Sequence, residues 1–492
     1  MKRTKIICTI GPACSDEATL TAMIQAGMNV ARLNFSHGTH EEQQVKIDLI
    51  KKVRDKLREP IPILLDTKGP EYRIGTFANH KIELKDGDTF TFTTEDVEGT
   101  LERVSVSYKG LVGDLDVGDV ILVNDGLVKF QVKEKTGTDL ICDVVIGGVL
   151  SDRKSMSFPN KVLKQVYLSK QDKADLLFGI QNDVDFVACS FVSCAQDVID
   201  VRNFLDANGG KDIQLIAKLE NRAGVDNAEE ILEHSSGLMV ARGDLGVEIP
   251  YVELPAIQKR LITICRLKGG LAITATEMLE SMISKPRPTR AEISDVANAV
   301  FDGTSAIMLS GETAAGRYPV ESVTAMANIA VEAEKNTHYA ERFKRYTFEL
   351  QNLNDALSRS TCQLAIDTNA TCIVATTRTG TTGRMICRFR APMPIIGMTT
   401  NEKAYRQLAM SWNVKPMIVE EFYSTDVLFY HAVLMARASG LAKAGDTIVI
   451  TGGMTNGKSG NTNLIKVETL SEVPQRRLGL ITEAAQMGHM EE

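Results

Sequence analysis

A chain of 492 residues with 43% hydrophobic and 24% charged side chains is too long for one core and too ordinary in composition for a disordered or fibrous protein, so two to four globular domains are expected. A net charge of -7 and a pI near 5.7 argue against nucleic acid or an anionic membrane as the main partner. Nine cysteines with no CxxC pair read as buried or incidental thiols of a reducing cytoplasm; MKRTKIICTIGP is not a signal peptide, and no apolar run is long enough to predict a membrane span.

Residues 4–10, TKIICTI, read as a strand closed by Gly11-Pro12, and Asp16 to Gly27 as an amphipathic helix with a glycine stop. In NVARLNFSHG, Arg32, Asn34 and Ser36 alternate with Ala31, Leu33 and Phe35, which puts three polar groups on one face near a strand's C-terminal end. A parallel strand between two helices is normally apolar on both faces, so this departure points to function. A helix from about Thr39 to Arg58 stops at Pro60. The strand IPILLD then delivers Asp66 and Thr67, followed by Lys68, Gly69, Pro70, Glu71 and Arg73.

From about Tyr72 to Lys164 helical periodicity is absent, and short Val/Ile/Thr/Phe runs are punctuated by KDGD, VGD, NDG and GTD turns. This predicts a small all-β insert, a β-barrel in form. Helix-strand alternation resumes with SKQDKADLLFGIQ, DFVACSFV and a helix near Ala195 to Asn208. The strand IQLIAKLE presents Lys218 and Glu220 on one face, and the next strand, GLMVA, ends in Arg242, Gly243 and Asp244. Glu220 and Asp244 could hold a hard divalent cation beside the Lys218 charge, an arrangement suited to phosphoryl transfer. A Lys-x-Glu pair standing alone reads first as a plain ion pair inside a barrel. A helix near Leu254 to Lys268 follows, then GLAITAT with Thr274 and Thr276, a helix capped near Thr289, SAIMLSG with Ser310 and Glu312, and a helix from about Pro319 to Lys335.

Without the insert, eight strands begin near Lys5, Asn29, Ile61, Asp185, Ile213, Gly237, Gly270 and Thr304, each followed by a helix. Eight such units predict a (β/α)8 TIM barrel with its chemistry at the C-terminal strand ends, where the polar residues named above all fall. The barrel is expected over residues 1–70 and 165–335, interrupted by the β-rich lid domain at 71–164. Residues 336–470 alternate again, with helices at Asp355 to Thr368 and Asn401 to Trp412 and strands CIVATT, PIIGMTT, KPMIVE and DTIVITGG, and predict a doubly wound α/β domain. Its loop from Thr376 to Gly383 follows a strand and opens a helix, a placement that offers backbone N–H groups, hydroxyls and a guanidinium to a phosphate. A second polar loop runs from Gly452 to Asn463 before the edge strand LIKVETL, and residues 471–492 carry no interpretable motif.

The motifs CTIGP, MNVARLNFSHG, LLDTKGPE, AKLEN, LMVARGDLGVEIP, ATEMLESMI, KPRPTRAEISDVANAVFDGTSAIMLSGETAAGRYPVE and TNLIKV resemble, in sequence and order, those of the bacterial pyruvate kinases. The resemblance implies transfer of a phosphoryl group from phosphoenolpyruvate to ADP in a cytoplasmic homotetramer. It also implies site roles. Glu220 and Asp244 would bind Mg2+ or Mn2+, and Asn34, Ser36, Asp66 and Thr67 would bind K+, with Glu71 the carboxylate that accompanies potassium dependence. Lys218 would neutralise the phosphoryl group in flight, Arg32 would bind the phosphate, and Gly243, Asp244 and Thr276 would hold the enolate. His37, Arg73 and Lys154, with Asn34, would contact the nucleotide. Thr377, Arg378, Thr379 and Thr382 would receive the phosphate of an effector such as a sugar phosphate or AMP. The enolate proton is expected from water anchored by Thr276. Four places depart from the family pattern: Tyr72, Ser193-Cys194, Glu277 and KSMSFPN from Lys154 to Asn160.

Overall fold

The computed structural model describes residues 2–346, 348–421, 424–453 and 462–472. Eight strands form a closed parallel barrel: β1 (Lys5–Thr9), β2 (Val30–Asn34), β3 (Ile63–Asp66), β4 (Phe186–Cys189), β5 (Gln214–Leu219), β6 (Gly237–Ala241), β7 (Leu271–Ala275) and β8 (Ala306–Leu309). They follow one another around the barrel in chain order, and β8 closes onto β1 through Lys5 and Ala306. The strands are buried on both faces because one face fills the barrel and the other lies under the helices.

The helices begin where the caps place them. Asp16 accepts the Thr19 N–H at the start of Glu17–Ala26, and Gly27 ends that helix at φ 123°. Thr39 and Glu42 form a capping box on His40–Leu57, as Thr289 and Glu292 do on Arg290–Asp302. Leu254–Lys268 and Pro319–Lys335 run between the residues expected.

The chain divides into two compact units, Lys2–Lys335 and Asn336 onward, and the insert belongs with the barrel in the first. The insert is a seven-stranded sheet with Tyr72–Arg73 at one edge and Arg103–Ser105 at the other. Ile74 bridges Val106, and Ser107 N donates to Arg73 O at 2.9 Å, so the two edges meet and the sheet curls into a small barrel. Phe90, Phe92 and Phe130 interlock at its centre, with ring centroids 4.9 to 5.7 Å apart.

The second unit has a five-stranded sheet: β9 (Cys372–Thr376), β10 (Ile395–Thr399), β11 (Val414–Ile418), β12 (Thr447–Gly452) and β13 (Leu464–Thr469). The order is β11-β10-β9-β12-β13, parallel except for the edge strand β13. The helix expected to reach Trp412 ends at Leu408, and Asn413 turns the chain at φ 57°. A helix absent from the sequence reading spans Thr425–Ala438; it buries Leu428, Ala432 and Ala436 at every fourth position, but the exposed Val427 and Tyr430 on its other side blur that period. Residues 454–461 of the second polar loop lie outside the described residues, as does the tail from 473 onward.

Candidate active site at the barrel rim

The parallel register aligns the polar residues of neighbouring strands. Thr9 of β1 pairs with Arg32, Asn34 of β2 with Asp66, and Asp66 of β3 with Ala188. Asp66 is therefore the shared partner of two cations. Its Oδ2 lies 2.6 Å from Arg32 Nε, and its Oδ1 lies 3.1 Å from Lys218 Nζ. Arg32 also donates to Thr9 Oγ1 at 2.8 Å. Lys218 completes its set with Glu220 Oε1 at 3.0 Å and Ser190 Oγ at 2.7 Å. Ser190 stands directly after β4 and donates in turn to the Thr67 carbonyl at 2.6 Å. Sequence reading passed over Ser190, although its place at a strand's C-terminal end is the signal that singled out the others.

All of these groups are buried, and their protonation follows from their neighbours. Burial works against the Lys218 charge, but the Asp66 and Glu220 carboxylates outweigh it and hold the ammonium above the ordinary lysine range. Burial likewise opposes ionisation of Asp66, and Arg32 and Lys218 overcome it, keeping the carboxyl below its usual value. Glu220 is pushed up to about 7 by burial, with Lys218 pulling the other way and Asp244 adding to the rise.

The plain ion pair is present, and the metal reading would use the same carboxylate. Glu220 spends Oε2 on the Phe191 N–H at 2.6 Å and Oε1 on Lys218, which fixes the carboxylate in place. Asp244 is exposed at the start of the short helix Arg242–Glu248. Asp244 adds to the cost of ionising Glu220, a cost that a hard cation held at these oxygens would relieve. Among the described residues no three His, Cys, Asp or Glu side chains cluster for a metal. Two protein carboxylates, with the remaining positions left to water and substrate oxygens, fit the way Mg2+ is commonly held.

At the end of β7 Thr276 accepts the Gly243 N–H at 2.8 Å and donates to the Ala275 carbonyl at 2.6 Å. Glu312 accepts the N–H groups of Leu279 (3.1 Å) and Ser310 (2.7 Å), so it shapes the loops rather than facing a ligand. Of the four residues expected around potassium, Asn34 and Asp66 share a register, Asn34 Oδ1 accepts the Ser36 N–H at 3.0 Å, and Thr67 Oγ1 accepts the Ser190 N–H at 3.2 Å.

A cleft of about 440 Å³ lies between the rim and the insert, with Arg73, Lys154, Phe158, Asp244 and Glu248 among its walls. His37 is exposed on the loop after β2 and is absent from this lining. Arg73 forms an ion pair with Glu71 and donates to the Arg153 carbonyl at 2.7 Å. Two of the departures from the family pattern meet here: Tyr72 packs against Phe158 with centroids 5.5 Å apart, while Glu248 Oε1 accepts the Phe158 N–H at 3.1 Å. Ser193 and Cys194 donate their N–H groups to Asp197, which caps the helix Ala195–Ala207. Glu277 is exposed.

In the second unit Arg378 and Thr379 are exposed and Thr382 is buried, bonded through Oγ1 to Thr462 at 2.9 Å. Arg384, which sequence reading did not flag, donates to the Thr379 carbonyl at 3.2 Å and to Thr381 Oγ1 at 3.2 Å, bracing the loop.

Comparison with known proteins agrees with this fold. The family described as pyruvate kinase, barrel domain, matches residues 1–323, and the pyruvate kinase alpha/beta domain matches residues 355–468. The pyruvate kinase of Clostridium acetobutylicum is 46% identical over 96% of this chain and 100% of its own length. That of Clostridium perfringens is 45% identical over the same shares, and that of Geobacillus stearothermophilus is 45% identical over 97% of this chain and 82% of its own. With identity spread along both units and with the charged rim built at the strand ends, the chain belongs to the pyruvate kinase family.

Proposed function

We infer that this rim carries out the pyruvate kinase reaction, moving the phosphoryl group of phosphoenolpyruvate to ADP and giving pyruvate and ATP. One observation supports the reading above the rest: the Lys218 ammonium is fixed 3.1 Å from Asp66 and 3.0 Å from Glu220, with its proton held firmly. Such a group serves as a stationary positive charge beside the transferring phosphoryl group, not as an acid. Arg32, oriented by Asp66 and Thr9, binds the substrate phosphate. Glu220 and Asp244 would hold Mg2+ or Mn2+, which when bound supplies charge neutralisation between phosphoryl and carboxylate oxygens. Asn34, Ser36, Asp66 and Thr67 form the K+ set. The amides of Gly243 and Asp244, with Thr276, orient the enolate.

Arg73 and Lys154, with His37 and Asn34, contact the nucleotide, and closure of the insert over the cleft excludes water that would otherwise accept the phosphoryl group. A threonine hydroxyl is a poor acid, so Thr276 anchors the water that protonates the enolate carbon. Thr377, Arg378, Thr379 and Thr382 receive the phosphate of a regulatory metabolite, a sugar phosphate or AMP, in a cytoplasmic homotetramer.

ADP-dependent formation of pyruvate in a coupled assay, with Mg2+ and with K+ replaced by Na+, tests the catalytic reading. Turnover that needs neither ADP nor a divalent ion would reassign the rim to another reaction. Activation by a panel of phosphorylated metabolites, and its loss in Arg378→Ala, tests the effector loop separately.

A further inference from the structure

Where β7 ends, the chain turns through two successive left-handed residues, Thr276 at φ 65° and Glu277 at φ 55°. Both carry a Cβ, so this backbone persists only under restraint from its surroundings. Here the restraint comes from one guanidinium. Arg242, the first residue after β6, is buried and donates to the Thr276 carbonyl from Nε at 3.1 Å and from Nη2 at 2.7 Å. Nη2 also donates to the Glu277 carbonyl at 3.1 Å. On the other side, Nη1 meets both oxygens of Asp295, at 2.8 and 2.7 Å, on the helix Arg290–Asp302. A planar fork held at one end by a carboxylate fixes what its other end can hold. The residue after Arg242 is Gly243, whose N–H reaches Thr276 Oγ1 at 2.8 Å, so the same corner sets the direction of that hydroxyl.

We propose that Arg242 and Asp295 are positioning residues for the proton-transfer half of the reaction, clamping the Thr276–Glu277 corner so that the Thr276 hydroxyl stays aligned with the enolate carbon. The inference rests on the reading of Thr276 as the anchor of the proton path. Arg242 has no hydrogen bond or ion pair with Arg32, Asp66, Lys218 or Glu220, so these four groups keep their places when the clamp is loosened at Asp295.

The test uses the full-length enzyme with its metal. The Asp295 side chain is 35% exposed, so Asp295→Ala leaves the Arg242 guanidinium without its counter-charge while opening no core. Two steps are followed: exchange of pyruvate methyl protons with deuterated solvent, and ATP formed in a single turnover by rapid quench. A displacement of about 1 Å costs roughly 10²-fold, so exchange is expected to slow by about 100-fold in Asp295→Ala while single-turnover ATP formation stays within about threefold. Asp295→Glu recovers most of the exchange rate, and Arg242→Lys, which keeps the charge but lacks the fork, shows the same split as Asp295→Ala. Unchanged exchange, or equal losses in both steps, overturns the proposal. Thr276→Ala separates the two layers of inference. If it slows exchange and the clamp variants do not, the clamp alone fails; if it leaves exchange unchanged, the role of Thr276 fails and the clamp's purpose with it.

Discussion

Asp66 illustrates how a single buried carboxylate can order a whole site. It holds the Arg32 and Lys218 cations at 2.6 and 3.1 Å, and Ser190 and Glu220 complete the shell around Lys218. Lys218→Met removes the charge while keeping much of the stem. With one preorganised donor lost, kcat is expected to fall about 10³-fold, near 4 kcal/mol, in the coupled assay. Glu220 provides a second prediction. In the metal-free protein its carboxyl is raised from the ordinary glutamate range to about 7 by burial, so below that pH a proton must leave before a divalent ion can bind. Mn2+ affinity, measured by calorimetric titration, is expected to drop about tenfold per unit as pH falls below 7 and to level off above it. A flat profile from pH 5 to 8 would remove Glu220 from the ligand set.

At the scale of elements, the loop leading from β3 into the insert is tied to the rim. Gly69 sits at φ 67°, and a Cβ there would come within 2.8 Å of the Ser190 carbonyl oxygen. Its N–H donates to Asp172 at 3.1 Å, the same carboxylate that caps the helix Lys170–Gln181. Gly69→Ala therefore forces a left-handed alanine and displaces a partner of Lys218. A loss of about 1–3 kcal/mol of stability, read from denaturant unfolding, is expected together with reduced turnover. The return path from the insert is tied by Glu248, whose carboxylate accepts the Phe158 N–H and whose pKa burial pushes up to about 7. For a raised carboxyl the stability is fully present below the unfolded value near 4.3 and is lost as pH rises through about 7. Glu248→Gln removes this titration. The thermal midpoint of the variant is expected to gain on that of the parent between pH 5 and pH 8, and a constant gap over that range would contradict the assignment.

At the scale of the whole molecule, the chain has two compact units: the first has one core at the barrel and another inside the insert, and the second has a core in the sheet β9 to β13. Calorimetric unfolding is accordingly expected to need more than one two-state transition, and a single transition with equal calorimetric and van't Hoff enthalpies would show the units to be fully coupled. The fold was legible in the sequence because it is written in local patterns: eight apolar strands, capped helices between them, and turn signals every few residues across the insert. The polar residues at strand ends were legible for the same reason, since alternation along a strand decides which side chains share a face. The helix Thr425–Ala438 was not, because Val427 and Tyr430 on its exposed side blur the contrast with the buried Leu428, Ala432 and Ala436. Sequence by itself thus determined which residues stand at the rim, Arg32, Asp66, Lys218, Glu220, Asp244 and Thr276 among them. Only tertiary structure decided how they are joined: Asp66 between two cations, Ser190 beneath Lys218, and Arg242 with Asp295 around the Thr276 corner. The physical reason is that these bonds link strands and helices distant in the chain, and their geometry is set by barrel register and burial rather than by any spacing along the sequence.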